Sequence, residues 1–137
     1  MDHKATGETE VLLLTAEENY AHARDHEHLR AQVTSTLVAA AFVLVGLALN
    51  ANLSPAKLVY VATMTLLIGI LNVVVVIIHD NRAKRHVSIA RSAKRQIANV
   101  TAEGDVRKLM NLSLVWRLVA SLPIIAAVGL LLVVVYG

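Results

Sequence analysis

The chain has 137 residues, of which 56% are hydrophobic and 17% are charged, and its formal net charge is +3. It contains no cysteine, which excludes a disulfide framework, thiolate catalysis and a cysteine-ligated zinc site. An apolar fraction this high, gathered into three long runs, is unusual for a soluble domain and favours an integral membrane protein.

Residues 1–32 are predicted to form an acidic, helical, cytoplasmic arm. They carry three basic and seven acidic residues, a net charge of −4. Thr15, followed three residues later by Glu18, has the form of a capping box. Apart from Gly46, nothing between Ala16 and Leu49 interrupts a helix, so the arm and the first apolar run are predicted to form one continuous rod.

Three apolar runs follow, and each is close to the roughly 20 residues that a helix needs to cross a bilayer core about 30 Å thick. The runs are Val33–Leu49, Leu58–Ile78 and Leu118–Tyr136. The predicted fold is therefore all-α, with three transmembrane helices at residues 33–50, 57–79 and 113–136. Pro55 suits the first turn of the second helix, and Pro123 is expected to kink the third.

Residues 80–112 are predicted to be a basic cytoplasmic helix and turn. They carry eight basic and three acidic residues, a net charge of +5. Small and apolar residues recur every three or four positions from Ala83 onward, which is typical of a helix with one narrow apolar face. Gly104 is expected to end this helix, and Asp105 to cap the next.

Because the two extensions carry opposite charge, they are expected to pack against each other. The alternative is a loosely ordered arm, with the basic helix facing anionic lipid.

Basic residues predict the topology. They are concentrated in the arm and in residues 80–112, whereas the turn at 50–57 has only Lys57 and the C-terminus has none. Since basic residues are retained in the cytoplasm, the N-terminus is predicted inside, and the turn and Gly137 outside.

Four polar residues within the spans are predicted to share one depth, in the inner leaflet, and to line a vestibule. They are Thr36, Asn72, Arg117 and Ser121. Ionisable groups inside a membrane are costly and often functional. The simpler interpretation is that Arg117 extends to the headgroups, while Asn72 and Ser121 join helices by hydrogen bonds.

Histidines are numerous, with six in the chain. Glu18, His22 and His26 follow one another at intervals of four, a geometry that can hold a divalent transition metal. Zinc sites usually have three or four protein ligands, so solvated histidines on an exposed helix are the simpler interpretation. Protonation below pH about 6.5 would be a second use.

Recognisable catalytic patterns are missing from the sequence. There is no glycine-rich phosphate loop, no HExxH motif and no serine with a nearby base. The basic segment lacks the interleaved aromatic residues expected of a nucleic-acid surface. We therefore expect no enzyme activity, no cofactor and no nucleic-acid partner.

The segment from Tyr20 to Arg30, followed by the Val33–Leu37 and Phe42–Leu47 stretches, resembles the opening of small bacterial inner-membrane proteins of uncharacterised function. The layout is also similar to that of SLATT-type two-span effector domains, although the third span departs from that pattern. The resemblance covers residues 10–100 and implies membrane permeabilisation by an oligomer, triggered by a partner or ligand.

These features predict an oligomeric inner-membrane protein that forms or gates a pore, acting as a stress or defence effector. Small residues such as Ala39, Gly46 and Gly69 allow helices to approach closely in lipid, which favours a homo-oligomer. The alternative is a non-conducting scaffold or regulatory subunit that recruits a protein partner through its cytoplasmic helices.

Overall fold

The computed structural model describes residues 3–51, 53–97 and 104–136, and the side chains of 7–51, 53–97 and 113–136. The chain forms three α-helices: α1 (His3–Asn50), α2 (Pro55–Ile97) and α3 (Gly104–Tyr136). Each contains a segment long and apolar enough to cross a membrane. The all-α prediction with three candidate spans is confirmed. Residues 98–103 of the predicted basic segment, and Gly137, lie outside the described residues.

Helix α1 is a single rod of 48 residues, about 72 Å long at 1.5 Å per residue, so the predicted continuity of arm and span is confirmed. The capping box is wrong, because the helix begins at His3. The Thr15 hydroxyl instead donates a hydrogen bond to the Val11 carbonyl, at 2.8 Å. Helix continues upstream of Thr15 because Leu12 packs against a buried cluster of Ala16, Ala90 and Ala93.

The turn between α1 and α2 is short. The Ala51 amide donates to the Leu47 carbonyl, and the Leu58 amide donates to the Ser54 carbonyl at 3.0 Å. Pro55 is the first residue of α2, as predicted. Helix α2 is described as far as Ile97 and α3 from Gly104. The expected stop at Gly104 and cap at Asp105 stay predictions, because residues 98–103 between the two helices lie outside the described residues.

The helices run antiparallel, and α2 packs against both neighbours. Contacts between His26 and His79 and between Asn19 and His86 set the register of α1 on α2. In α3 the buried residues Ser113, Ala120 and Ala127 are seven positions apart, the repeat of helices that wrap around each other with a left-handed twist. Ten of the thirteen buried hydrophobic side chains in the described part of the chain are alanines, which lets the helix backbones approach closely.

Helix α3 packs closely against α2 at Gly69. A Cβ atom at this position would lie 2.6 Å from Cγ1 of Ile124 and 3.3 Å from Cβ of Pro123. Helix α3 continues through Pro123, which is fully buried and lies beside Gly69 in this contact. The kink expected at Pro123 stays a prediction. Glycine is required at position 69 because any larger residue would separate the two helices.

The outer surface carries the large apolar side chains, the reverse of a water-soluble protein. Phe42, Leu47, Leu67, Ile125 and Leu118 are all about half exposed or more. An apolar exterior around an interior of alanine and polar groups fits hydrocarbon as the surrounding solvent. The protein thus has the features of a multi-pass membrane protein.

Candidate functional site

Asp80 is a buried carboxylate on which cations from all three helices converge. Arg30 of α1 lies 3.4 Å from Oδ1, whereas Lys84 of α2 and Arg117 of α3 lie 2.7 and 2.9 Å from Oδ2. Together these residues form the ionic layer, which has three cations for one carboxylate and therefore a net charge of +2.

The ionic layer lies where the three apolar runs begin or end. Arg30 precedes the run that starts at Val33, Asp80 follows the run that ends at Ile78, and Arg117 precedes Leu118. Arg30 is itself only 2% exposed, and its Cζ lies 5.9 Å from the centre of the Trp116 ring. The layer therefore marks the boundary between the apolar bundle and the more polar half of the molecule.

Asp80 and Arg30 are missing from the four residues predicted from the sequence. A signal for Asp80 exists, since it continues the spacing of buried α2 residues from Gly69 through Asn72 and Val76. The prediction of Arg117 as a functional residue stays untested, but the structure gives it a partner, Asp80, which composition and spacing do not reveal.

Asn72 and Thr34 are buried deeper in the bundle. Both residues are 0% exposed, and within the part of the chain that the structure describes neither the Asn72 amide nor the Thr34 hydroxyl has a hydrogen-bond partner. The register of α1 on α2 places Thr34 opposite the turn of α2 that carries Asn72. Each of the two helices thus carries one buried polar side chain that lacks a hydrogen-bond partner among the described residues.

The other two predicted vestibule residues lie elsewhere. Thr36 is exposed on the outside of α1, where its hydroxyl donates to the Gln32 carbonyl at 2.9 Å. Ser121 is partly exposed, and its hydroxyl donates to the Leu118 carbonyl at 2.7 Å. The structure does not gather Thr36, Asn72, Arg117 and Ser121 around one space within the protomer.

Four histidines lie in contact between α1 and α2 and form the histidine cluster: His22 and His26 from α1, His79 and His86 from α2. Ring centres are 5.3 Å apart for His22–His86, 5.5 Å for His26–His86 and 5.4 Å for His26–His79. Nδ1 of His26 lies 3.3 Å from Nδ1 of His79, and Nδ1 of His86 lies 2.9 Å from the Asn19 side-chain oxygen.

Of the three residues predicted to bind a metal, only Glu18 and His22 contact each other. Glu18 lies 3.7 Å from His22, whereas His26 contacts His79 and His86. Among the residues that the structure describes, no group of three or more His, Asp or Glu side chains is arranged to hold a metal ion. His26 lies on the arm, before the first apolar run, and burial together with neighbouring histidines and Arg82 lowers its pKa.

The predicted pairing of the two extensions is present as packing. We define the distal hairpin as residues 7–32 of α1 and 80–97 of α2. Ala16 packs with Ala90 and Ala93, and Lys94 Nζ lies 4.8 Å from the centre of the Tyr20 ring. Within the described part of the chain, the ion pair that joins these helices is Arg30–Asp80, so their opposite net charges are not what holds them together.

The charges of the distal hairpin are separated between its two helices. On α1 the exposed charges are mainly acidic, and on α2 they are basic. The exposed acidic residues are Glu8, Glu10, Glu17, Glu18 and Asp25, and the exposed basic residues of α2 are Arg82, Lys84, Arg85, Lys94 and Arg95. The hairpin therefore has one acidic outer face and one basic outer face.

Comparisons of the chain with family models, with curated proteins and with solved structures found no match. The features of the molecule that bear on function are therefore the ionic layer, the buried polar residues Thr34 and Asn72, and the histidine cluster.

Proposed function

We propose that this chain is an oligomeric multi-pass protein of the bacterial inner membrane that forms or gates a pore, and that the arrangement described is its closed state. Its N-terminus and distal hairpin lie in the cytoplasm, and its C-terminus lies outside. The resemblance to SLATT-type effectors agrees with such a role, in stress or defence.

The observation that carries this proposal is the unsatisfied polar pair, Thr34 and Asn72. A buried polar group without a partner costs roughly 1–3 kcal/mol, and hydrocarbon surroundings offer no water in compensation. A second conformation, in which α1 and α2 separate enough to admit water, would satisfy both side chains. The closed bundle therefore stores free energy that favours opening.

The ionic layer supplies the opposing restraint. Asp80 joins α1, α2 and α3 at the cytoplasmic end of the spans through Arg30 and Arg117. Separation of the helices at this level exposes or breaks these pairs, which costs several kcal/mol when a buried charge loses its partner. The layer thus holds the closed state against the tendency of the unsatisfied pair to open.

Ion or dye flux from proteoliposomes containing the full chain tests this function. Thr34→Val replaces the unpartnered hydroxyl with a methyl group, so it should stabilise the closed bundle and reduce flux. Thr65→Val is the matched control. Thr65 is equally buried, but its hydroxyl already donates to the Val61 carbonyl at 2.9 Å. Its replacement should leave flux close to that of the wild type.

Asn72→Leu provides a second variant from the other side of the pair, and it should also reduce flux. The proposal fails if the wild-type protein releases nothing at any protein-to-lipid ratio. It also fails if Thr34→Val and Thr65→Val conduct equally.

A non-conducting scaffold is the second candidate, favoured by the separated charges of the distal hairpin. The hairpin is held by Asn19–His86 and Tyr20–Lys94 contacts, so its acidic face is preorganised for a basic partner. A preformed surface binds with less loss of conformational entropy than a disordered one.

Purification from native membranes separates the two functions. A scaffold should retain one heterologous protein at fixed stoichiometry and lose it in the charge-reversal variant Glu17→Lys. Self-association alone, together with flux, supports the pore.

A further inference from the structure

Two exposed cations at the edge of the ionic layer are held close together. Lys84 Nζ and Arg117 Nη2 lie 2.7 and 2.9 Å from the same oxygen of Asp80. Their side chains are 45% and 49% exposed, whereas the carboxylate between them is 4% exposed. The buried Asp80 carboxylate therefore holds both cations in place, and their N–H groups that do not bond to Asp80 remain available at the surface.

The charge of this group is incompletely balanced. Asp80 supplies one negative charge, and the buried Arg30 already occupies its other oxygen at 3.4 Å. Lys84 and Arg117 are thus left with an excess of positive charge that an external anion can neutralise. An ammonium and a guanidinium side by side suit a phosphate, because both donate charge-assisted hydrogen bonds to its oxygens.

We propose that Lys84 and Arg117 bind a phosphate group, and that the phosphate of an anionic phospholipid in the cytoplasmic leaflet is the ligand. The depth favours the lipid as the source, since both residues lie at the cytoplasmic ends of their apolar runs in the proposed orientation. Juxtamembrane lysines and arginines attract anionic lipids in this position. This inference goes beyond pore formation; it rests on the proposed orientation of the three spans, with the N-terminus in the cytoplasm.

The fluorescence of Trp116 can report on the lipids that lie beside this site. Trp116 is the only tryptophan, it precedes Arg117, and it is partly exposed. Quenching of its fluorescence by lipids brominated on the upper acyl chain reports which lipids lie next to the site. The full chain is reconstituted with brominated phosphatidylglycerol or, separately, brominated phosphatidylcholine, each diluted with its unbrominated form.

The wild-type protein should favour phosphatidylglycerol. The preference should fall about fivefold when either Lys84→Gln or Arg117→Gln removes one cation, as expected for about 1 kcal/mol per cation at the surface. Arg85→Gln is the matched control, because Arg85 is an exposed cation one residue further along α2 that makes no ion pair among the described residues. It should retain the preference. Quenching by phosphatidylcholine should be the same in every variant, which shows that Trp116 keeps its surroundings.

Two outcomes would overturn the proposal: equal quenching of the wild type by both lipids, or a loss of preference in Arg85→Gln as large as in Lys84→Gln.

Inorganic phosphate and chloride, added at equal ionic strength, distinguish a lipid phosphate from a soluble phosphate as the ligand. Equal effects of the two salts support the lipid. A lipid preference lost selectively in phosphate would show that soluble phosphate outcompetes the lipid headgroup, and would assign the site to soluble phosphates instead. Because the readout is lipid contact rather than flux, its failure is distinguishable from failure of the pore.

Discussion

Asp80 is the residue whose surroundings the sequence describes least well, since its partners come from positions far along the chain. The Asp80 side chain is 4% exposed, and it contacts Arg30, whose side chain is 3% exposed. Burial of two charges is tolerated only when they are paired, and removing one partner leaves the other uncompensated. The stability of the bundle therefore depends on this one acidic side chain more than on any exposed charge.

Asp80→Asn should destabilise the protein by about 3–5 kcal/mol, because Arg30 loses its counter-charge in a buried place. Lys84→Gln should cost only about 0–1 kcal/mol, since Lys84 is about half exposed and solvent screens its pair with Asp80. Thermal unfolding in detergent, followed by circular dichroism, compares the two. Similar midpoints for both variants would show that Arg30 and Asp80 do not form a structural pair.

His26 gives the histidine cluster a defined pH response. Its pKa in the folded protein lies below 6.5, first because of burial and then because of His79, His86, Arg82 and His22. His26 therefore binds a proton more readily in the unfolded chain than in the folded protein. This contribution reduces stability as the pH falls below about 6.5, and it has no effect well above that value.

The measurement is the unfolding midpoint between pH 7.5 and 5. The fall in midpoint should be smaller in His26→Gln than in the wild type, because the variant has no proton to bind there. His28→Gln is the control, since His28 is exposed on the same arm and has no ring contact with the cluster among the described residues. Identical pH profiles for the wild type and His26→Gln would contradict this role.

At the scale of the elements, the contact of α2 with α3 depends on the missing side chain of Gly69. Gly69→Ala would place a Cβ 2.6 Å from Ile124 Cγ1 and 3.0 Å from the Ile124 backbone nitrogen. The helices must then move apart, and we expect a loss of about 1–3 kcal/mol, typical of overpacking.

Gly46→Ala is the control for this variant. A Cβ at Gly46 meets nothing within 4 Å, so alanine should be neutral or should stabilise α1 by about 0.5–1 kcal/mol. Both variants replace glycine with alanine, but only position 69 is packed against another helix. A higher unfolding midpoint in both variants would contradict the close α2–α3 contact.

The pairing of α1 with α2 in the distal hairpin is testable by crosslinking, because the natural chain has no cysteine. Asn19→Cys combined with His86→Cys replaces two side chains that touch at 2.9 Å, so mild oxidation should join them within one chain. Asn19→Cys with Arg85→Cys is the control, since Arg85 is exposed. Gel mobility after oxidation and protease digestion reports the link. Equal crosslinking of both pairs would indicate a loosely ordered arm.

At the scale of the whole molecule, the proposed topology separates the two ends of the bundle. Ser54, in the turn between α1 and α2, should lie outside the cell, and Ser92, in the distal hairpin, should lie inside. Both residues are exposed, so each can carry a single cysteine in the cysteine-free chain. A membrane-impermeant maleimide should label Ser54→Cys on intact cells, but Ser92→Cys only after the membrane is opened. The reverse pattern would invert the topology and place the phosphate site in the opposite leaflet.

Sequence alone determined the number and type of the elements. Helix length and hydropathy are local properties, so three long apolar runs predict three helices, and the absence of breakers between Ala16 and Leu49 predicts the single rod of α1. The same local reasoning failed at Thr15, where Leu12 extends the helix by packing against residues of α2.

Only the tertiary structure decided which side chains meet. Arg30 and Asp80 are 50 positions apart, and His26 and His79 are 53 apart. Their contacts depend on the rotation and register of whole helices, since a quarter turn of α1 would exchange the buried Thr34 for the exposed Ser35. Hydropathy places a polar residue along a helix but does not give the direction it faces, which is why the predicted vestibule residues do not share a surface.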